Sequence, residues 1–448
     1  MMSRLGPLKQ YLASTNTRQL LANTVWLLGD KSLRLIVGVL VGAWVARHLG
    51  PAEYGELAYV IAYMMLFSTI AQLGLDGIVI RELASTRQQA GHILGSALRL
   101  RLLAGFACWL ASLLVIWLIR PGDTHTLFLV AIICSATIFQ ASDTIDLWFQ
   151  SQTRSRITVV AKGASFLIVN GLRVALIVND MPLTWFVLSY LIEAMLNALL
   201  LAFSYRGTGV VTGRWHWDAD TARNMLRDAW PFLISAVGIM LYMRIDQIMI
   251  RELRGEHDLG LYSAATQISI ALFFIPTSIC MSLGPVISRK LTTDPAGYYR
   301  NLGQMFTLMW WLLLPICLTI WLLSGRLIAL LYGASYSGSA PILALHVFCN
   351  LPFALGMVQA RWAFDHGRGM LSLQKTLTGL VLSIVLNLWL IPTYGALGAA
   401  MASLISALSS SILINCLLAR PIFLMQLGSL FGRQPPLSSH MQQKTSHP

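Results

Sequence analysis

A chain of 448 residues is long enough for two or three soluble domains, but 56% hydrophobic and only 11% charged residues, with a mean hydropathy of +0.66, place it in another solvent. At about 20 apolar residues per crossing, twelve helices take roughly 240 positions and leave short loops and two tails, which excludes a large soluble catalytic domain. The formal charge of +13 comes from 32 Lys and Arg lying mostly between apolar runs, where they orient helices and meet anionic membrane lipids rather than nucleic acid.

The first apolar run follows the polar stretch Ser14 to Gln19 and continues too far for a cleaved signal, so it predicts an uncleaved anchor. Apolar runs bounded by charged or Gly/Pro-rich breaks then predict helices over 23–46, 57–80, 102–119, 126–149, 163–178 and 183–203. A charged segment centred on Trp215, His216 and Trp217 intervenes, and further helices follow over 230–250, 260–287, 303–323, 341–363, 376–391 and 395–419. Backbone groups in lipid must be satisfied within their own segment, and these runs are twice the length of a barrel strand. The expected fold is therefore an all-α polytopic membrane protein of about twelve transmembrane helices, in two six-helix lobes around a central cavity. The expected organisation is a cytoplasmic N-terminal segment 1–22, an N-lobe 23–205, a cytoplasmic inter-lobe loop 206–229, a C-lobe 230–420 and a partly disordered cytoplasmic tail 421–448.

Charge sidedness tests the count. With the N-terminus inside, 23 of the 32 Lys and Arg fall on cytoplasmic segments and only five outside, namely Arg47, Arg120, Arg251, Arg254 and Arg326. Such a bias predicts cytoplasmic N- and C-termini. An internal echo supports two halves: Arg47, Gly50, Glu53 and Gly55 after helix 1 resemble Arg251, Gly255, Asp258 and Gly260 after helix 7.

The six cysteines, at 108, 134, 280, 317, 349 and 416, lie in apolar stretches without metal-ligand spacing and read as packing thiols. Gly29 to Ser32 match only the end of a phosphate-binding loop, and no metalloprotease, hydrolase or dinucleotide motif occurs. The chain is read as a non-enzyme without metal or cofactor. What remains is a set of ionisable residues at membrane depth, costly enough to invite a functional reading. Asp30 and Arg34 share a face of helix 1 with Lys31 pointing elsewhere; Arg244 and Asp246 in helix 7 are about 200° apart and meet different neighbours. Asp76, Arg173 and Glu193 complete the inner set, and Asp143 and Asp146 share a face near the end of helix 4. Each has a plainer reading, as a charge paired across helices or reaching an interface. One mid-span Arg in the opening helix of each half nonetheless suits phosphate oxygens, so Arg34 and Arg244, with Arg173 and Lys31, are candidates for an anionic, phosphate-bearing cargo. Gly38 and Gly42, and the small-residue face from Gly395 to Ala402, read as close helix packing.

Several segments together resemble one family. Arg47-His48-Leu49-Gly50-Pro51-Ala52-Glu53-Tyr54-Gly55, Leu73-Gly74-Leu75-Asp76, Arg244-Ile245-Asp246-Gln247 and Leu259-Gly260-Leu261-Tyr262 are similar to turns and helix ends of the Wzx-like oligosaccharide flippases. These belong to the multidrug/oligosaccharidyl-lipid/polysaccharide exporter superfamily, and Leu331-Tyr332-Gly333 and Tyr394-Gly395-Ala396-Leu397-Gly398 extend the likeness across nearly the whole chain. The resemblance implies a two-lobed bundle of the multidrug and toxic compound extrusion type. It implies translocation of undecaprenyl-diphosphate-linked oligosaccharide, as for O-antigen, across a bacterial inner membrane by alternating access. It also implies coupling to H+ or Na+, with Asp30, Asp76, Glu193 and Asp246 as candidate carriers, and a glycan polymerase and chain-length regulator as partners. A drug antiporter on the same fold, and more remotely a glycan polymerase or ligase, are the competing readings.

Overall fold

A computed structural model describes residues 15–86, 89–207 and 215–432, with side chains from Ser32 onward. Every regular element among the described residues is a helix. In order it forms α1 Thr15–Ala71, α2 Asp76–Ser85, α3 Ala90–Ile119, α4 Thr124–Phe139, α5 Asp143–Ser151, α6 Ser155–Val178, α7 Leu183–Gly207, α8 Ala219–Arg254 and α9 Glu256–Ala271. There follow α10 Phe274–Thr293, α11 Pro295–Leu331, α12 Ser339–His346, α13 Asn350–Asp365, α14 Gly369–Tyr394, α15 Ala396–Leu408, α16 Asn415–Leu418 and α17 Arg420–Leu430. A π-helical turn, Ser409–Leu413, separates α15 from α16.

Among the described residues, eleven segments are long and apolar enough to cross a membrane. The first, Ser32–Ser85, holds 54 residues, about 80 Å at 1.5 Å per residue and twice the length one crossing needs. It breaks at Gly50 (φ 73°, ψ 172°), a backbone state that glycine adopts without penalty, and Pro51 restarts the helix where its missing N–H costs nothing. Counting that hairpin as two gives twelve crossings.

The chain packs as two compact units. One comprises residues up to Gly42 with Tyr63–Ala236; the other comprises Ala43–Ala62 with residues from Val237 onward. In the first unit, Leu75, Leu83, Leu94, Trp148 and Phe149 belong to one buried cluster. In the second, Tyr298, Phe306, Val347, Leu355 and Trp362 share another.

Two expected boundaries move. The segment 206–229, expected as loop, is helical from Ala219, because the Asp218 carboxylate caps α8: it accepts from the Thr221 hydroxyl and, at 3.0 Å, from the Thr221 amide. The Thr221 hydroxyl and amide also hold that carboxyl below its ordinary range. The tail expected from 421 is likewise helical through Leu430, with Ile422 and Met425 buried in the second cluster; residues 433–448 lie outside the described ones. Some predicted helices are interrupted. The run 57–80 turns at Leu73 and Gly74 (φ 58° and 66°), and a Cβ on Gly74 would stand 2.7 Å from the Leu233 nitrogen of α8.

The sequence echo becomes a contact inside the second unit. Gly255 has the conformation of Gly50 (φ 91°, ψ −175°) and likewise starts a helix. A Cβ on Gly55 would fall 1.9 Å from the Glu256 carbonyl oxygen, and one on Gly260 would fall 1.8 Å from the Pro51 carbonyl oxygen. Pro51 and Glu256 are the first residues after the two turn glycines, so the two hairpins grip one another reciprocally, backbone against backbone.

Candidate functional site

In the first unit the buried charges are largely matched. Arg173, on α6, donates through Nε to Ser189 Oγ at 2.9 Å and through Nη2 to Glu193 Oε2 at 3.0 Å, with its guanidinium 4.2 Å from the Tyr190 ring centroid. Two sequence candidates, one for phosphate and one for ion coupling, are thus each other's partners on neighbouring helices. Asp76, at the head of α2, pairs with Arg101 of α3, which is 2% exposed against 57% for the carboxylate. Asp143 and Asp146 both hold Lys162 of α6 at 2.7 Å. Arg34 places its guanidinium 5.1 Å from the centroid of Phe166 on α6, a cation–π arrangement. Asp30 and Lys31 lie on α1 outside the residues whose side chains are described.

The second unit is organised differently. Arg244 donates to Gln247 Oε1, one turn along α8, at 3.3 Å, and forms no ion pair among the described residues. Asp246, buried two residues on, accepts from the Tyr262 hydroxyl of α9, from the Gln247 amide at 2.7 Å, and from Ser403 Oγ of α15 at 3.5 Å. As the spacing requires, the two charges point to different surroundings, but the arginine's partner is on its own helix. The Tyr262 ring meets His346 edge-on at 5.9 Å, His346 Nδ1 lies 2.9 Å from Ser269 Oγ, and Asn350 Nδ2 donates to that oxygen at 3.1 Å. Asp246 therefore ends a line of polar and aromatic groups crossing the helices. Arg251 and Arg361, by contrast, pair with Glu256 and Asp365.

Sequence reasoning misses three participants. Arg101 and Lys162 read as interface charges, because hydropathy cannot say which carboxylate a neighbouring helix presents. Lys375 falls in a cytoplasmic loop when the helix is predicted from 376; α14 in fact starts at Gly369, which takes Lys375 two turns into the span. Its ammonium donates to Gln359 of α13, whose amide exchanges hydrogen bonds with Asn415 at 2.6 and 2.8 Å. Asn415 in turn donates to Gln426 at 2.9 Å.

Helices that cross a membrane about twelve times, with ionisable side chains such as Arg173, Arg244 and Asp246 held inside them, define a multi-pass membrane protein. The fold agrees with solved examples: it matches the lipid II flippase MurJ in an inward closed conformation with a TM-score of 0.73 at 15% identity, over 90% of this chain and 91% of that one. A multidrug resistance MATE family transporter of the MOP superfamily, inward-facing, matches with a TM-score of 0.72 at 12% identity, over 92% and 96% of the two chains.

The polysaccharide biosynthesis protein family matches residues 20–291, and the chain belongs to that family; the MatE family also matches residues 231–389. A putative O-antigen transporter of Shigella flexneri is 22% identical over 420 residues, covering 90% of this chain and 98% of the relative. A probable low-salt glycan biosynthesis flippase, Agl15, of Haloferax volcanii is 19% identical over 408 residues, covering 86% and 82%. The resemblance carried by Arg47–Gly55, Leu73–Asp76 and Arg244–Gln247 is borne out, as is the all-helical fold.

Proposed function

We propose that this protein flips lipid-linked oligosaccharide, an O-antigen or related surface-polysaccharide repeat unit, from the cytoplasmic to the periplasmic leaflet of a bacterial inner membrane. The observation that carries the proposal is Arg244: a guanidinium inside a span whose bond goes to a neutral amide, while Arg173, Arg251 and Arg361 are matched by carboxylates. A permanent cation left unmatched in a low-dielectric interior stabilises a diphosphate that enters beside it. Arg34, 5.1 Å from the Phe166 ring centroid in the opening helix of the first half, is the second arginine assigned to the cargo, and the family and relatives above support a glycan cargo. Arg173 serves its own helix pair. Asp246, whose bonds among the described residues come from neutral donors, is the carboxylate best suited to take up H+ or Na+ during alternating access, since Asp76 and Glu193 are committed to arginines. The charge sidedness of the sequence supports cytoplasmic termini.

The test is the sidedness of lipid-linked repeat units in cells lacking the protein, read with a sugar-binding probe on sealed and then permeabilised spheroplasts. Accumulation on the inner leaflet, reversed by re-expression, is expected. Units that reach the outer face normally but stay unjoined would transfer the role to a polymerase or ligase.

A further inference from the structure

The second unit contains a cleft of about 230 Å³ that the cargo reading does not use. Phe273, Phe353, Met357 and Leu371 wall it with apolar surface, while Lys375, Gln359, Ser410 and Ser411 give it one polar side. The lysine is the unusual member. It lies two turns into α14, no described carboxylate pairs with it, and its hydrogen bond goes to the neutral Gln359 oxygen. An ammonium has three donors, so two remain for something else. The Gln359–Asn415–Gln426 amides are bonded to one another on α13, α16 and α17, which fixes Gln359 and with it the position of the charge.

The backbone is shaped for the same place. Ser410 and Ser411 belong to the π-helical turn Ser409–Leu413, a distortion that recurs at functional sites. Two glycines make room for it: a Cβ on Gly356 would stand 2.9 Å from Ser411 Oγ, and one on Gly379 3.0 Å from Ser410 Cβ. Tyr242 brings its hydroxyl to 3.4 Å from Ser410 Oγ. One cation and three hydroxyls thus stand beside an apolar wall, the complement of an anionic head on an apolar stem.

Size and surroundings select the occupant. The volume falls below the roughly 300–1,000 Å³ of sites for drug-sized ligands, so it admits a phosphate with a short stem and not an oligosaccharide. Ile239 and Met243, which line the cleft, are 49% and 40% exposed, so its rim is apolar and meets a bilayer lipid more readily than a water-borne ion. We propose that this cleft seats the phosphate headgroup of an anionic phospholipid of the surrounding bilayer, with the Lys375 ammonium as counter-charge and the Ser410, Ser411 and Tyr242 hydroxyls as further hydrogen-bond partners. A zwitterionic headgroup fits less well, because none of the described residues lining the cleft is a carboxylate that could receive its ammonium.

The full chain, purified in a neutral detergent, is titrated with short-chain phosphatidylglycerol or phosphatidylcholine, and bound lipid is counted by native mass spectrometry. One phosphatidylglycerol is expected to bind tightly, and Lys375→Gln to weaken it about tenfold, the effect of losing one charge-assisted bond. Lys375→Arg keeps the charge and is expected to stay close to wild type, as is Arg289→Gln, which removes an exposed cation elsewhere in the same unit. A thermal melt without lipid confirms that each variant is folded. Undiminished binding by folded Lys375→Gln, or equal binding of phosphatidylcholine, would overturn the proposal. Displacement of the lipid by millimolar inorganic phosphate would also overturn it, in favour of a free-anion site. The readout is lipid binding, so the outcome is independent of whether the protein flips glycans.

Discussion

Arg173 and Glu193 show why an ionisable residue within a span needs its neighbours before it can be given a role. Each alone is costly at that depth; as partners, backed by Ser189 and Tyr190, they form a closed unit that fixes α6 against α7. Breaking a buried pair from one side is expected to cost about 3 kcal/mol or more, because the survivor is left uncompensated, whereas replacing both with apolar residues is near neutral. Arg173→Met should therefore lower the thermal midpoint in detergent, and Arg173→Met combined with Glu193→Met should restore it; a double variant no more stable than the single one would mean the pair contributes more than mutual neutralisation. Arg244 is expected to behave in the opposite way. Arg244→Ala and Arg34→Ala should leave abundance near normal while reducing export, with Lys restoring part of it because charge survives and the bidentate fork does not; full export in both Ala variants would return these arginines to packing. Asp246→Asn keeps an acceptor for Tyr262 but removes the charge, so export should lose its response to the ion gradient. Retained gradient dependence would point instead to Asp30.

At the level of elements, the helix-glycine-helix turn sets the geometry. Gly50, Gly255 and Gly333 adopt nearly the same positive-φ, extended-ψ state (φ 73°, 91° and 87°), each between two helices, and at the first two the following turn brings a second glycine against a carbonyl. Gly55→Ala is expected to cost about 3 kcal/mol, the upper part of the overpacking range, because the obstructing atom is backbone and cannot rotate away. Gly238→Ala is the comparison, since a Cβ there meets nothing within 4 Å, and it should be neutral or slightly stabilising. Equal thermal midpoints for the two variants would refute the close crossing. The spans themselves are legible in the sequence because lipid admits few alternatives, and the paired glycine turns are visible as an echo. Side-chain partners such as Arg101 for Asp76 and Gln359 for Lys375 are not legible: hydropathy orders helices along the chain without saying which faces meet. The Lys375 site is hidden by a helix start placed seven residues late, since Gly369 to Lys375 is too polar to extend an apolar window.

For the whole molecule, the division into units does not follow the midpoint of the sequence. Ala43–Ala62, from the first hairpin, belongs with the residues from Val237 onward. Two fragments, produced by opening the chain between Gly207 and Trp215, should therefore copurify when expressed together, held in part by the Gly55–Gly260 crossing. Gly55→Leu in the first fragment should weaken that recovery strongly. Recovery unaffected by Gly55→Leu would show that other surfaces hold the fragments together.

The same crossing imposes a wait during synthesis. Gly55 and its counterpart Gly260 are 205 residues apart, so at roughly 5–20 residues per second the first hairpin exists for about 10–40 s before its partner has been made. Throughout that interval Gly55 lacks the Glu256–Gly260 turn it packs against. The molecule's first finished piece is thus among the last to find its place, and a ribosome paused between the halves would prolong the period in which this hairpin can be mispaired or degraded.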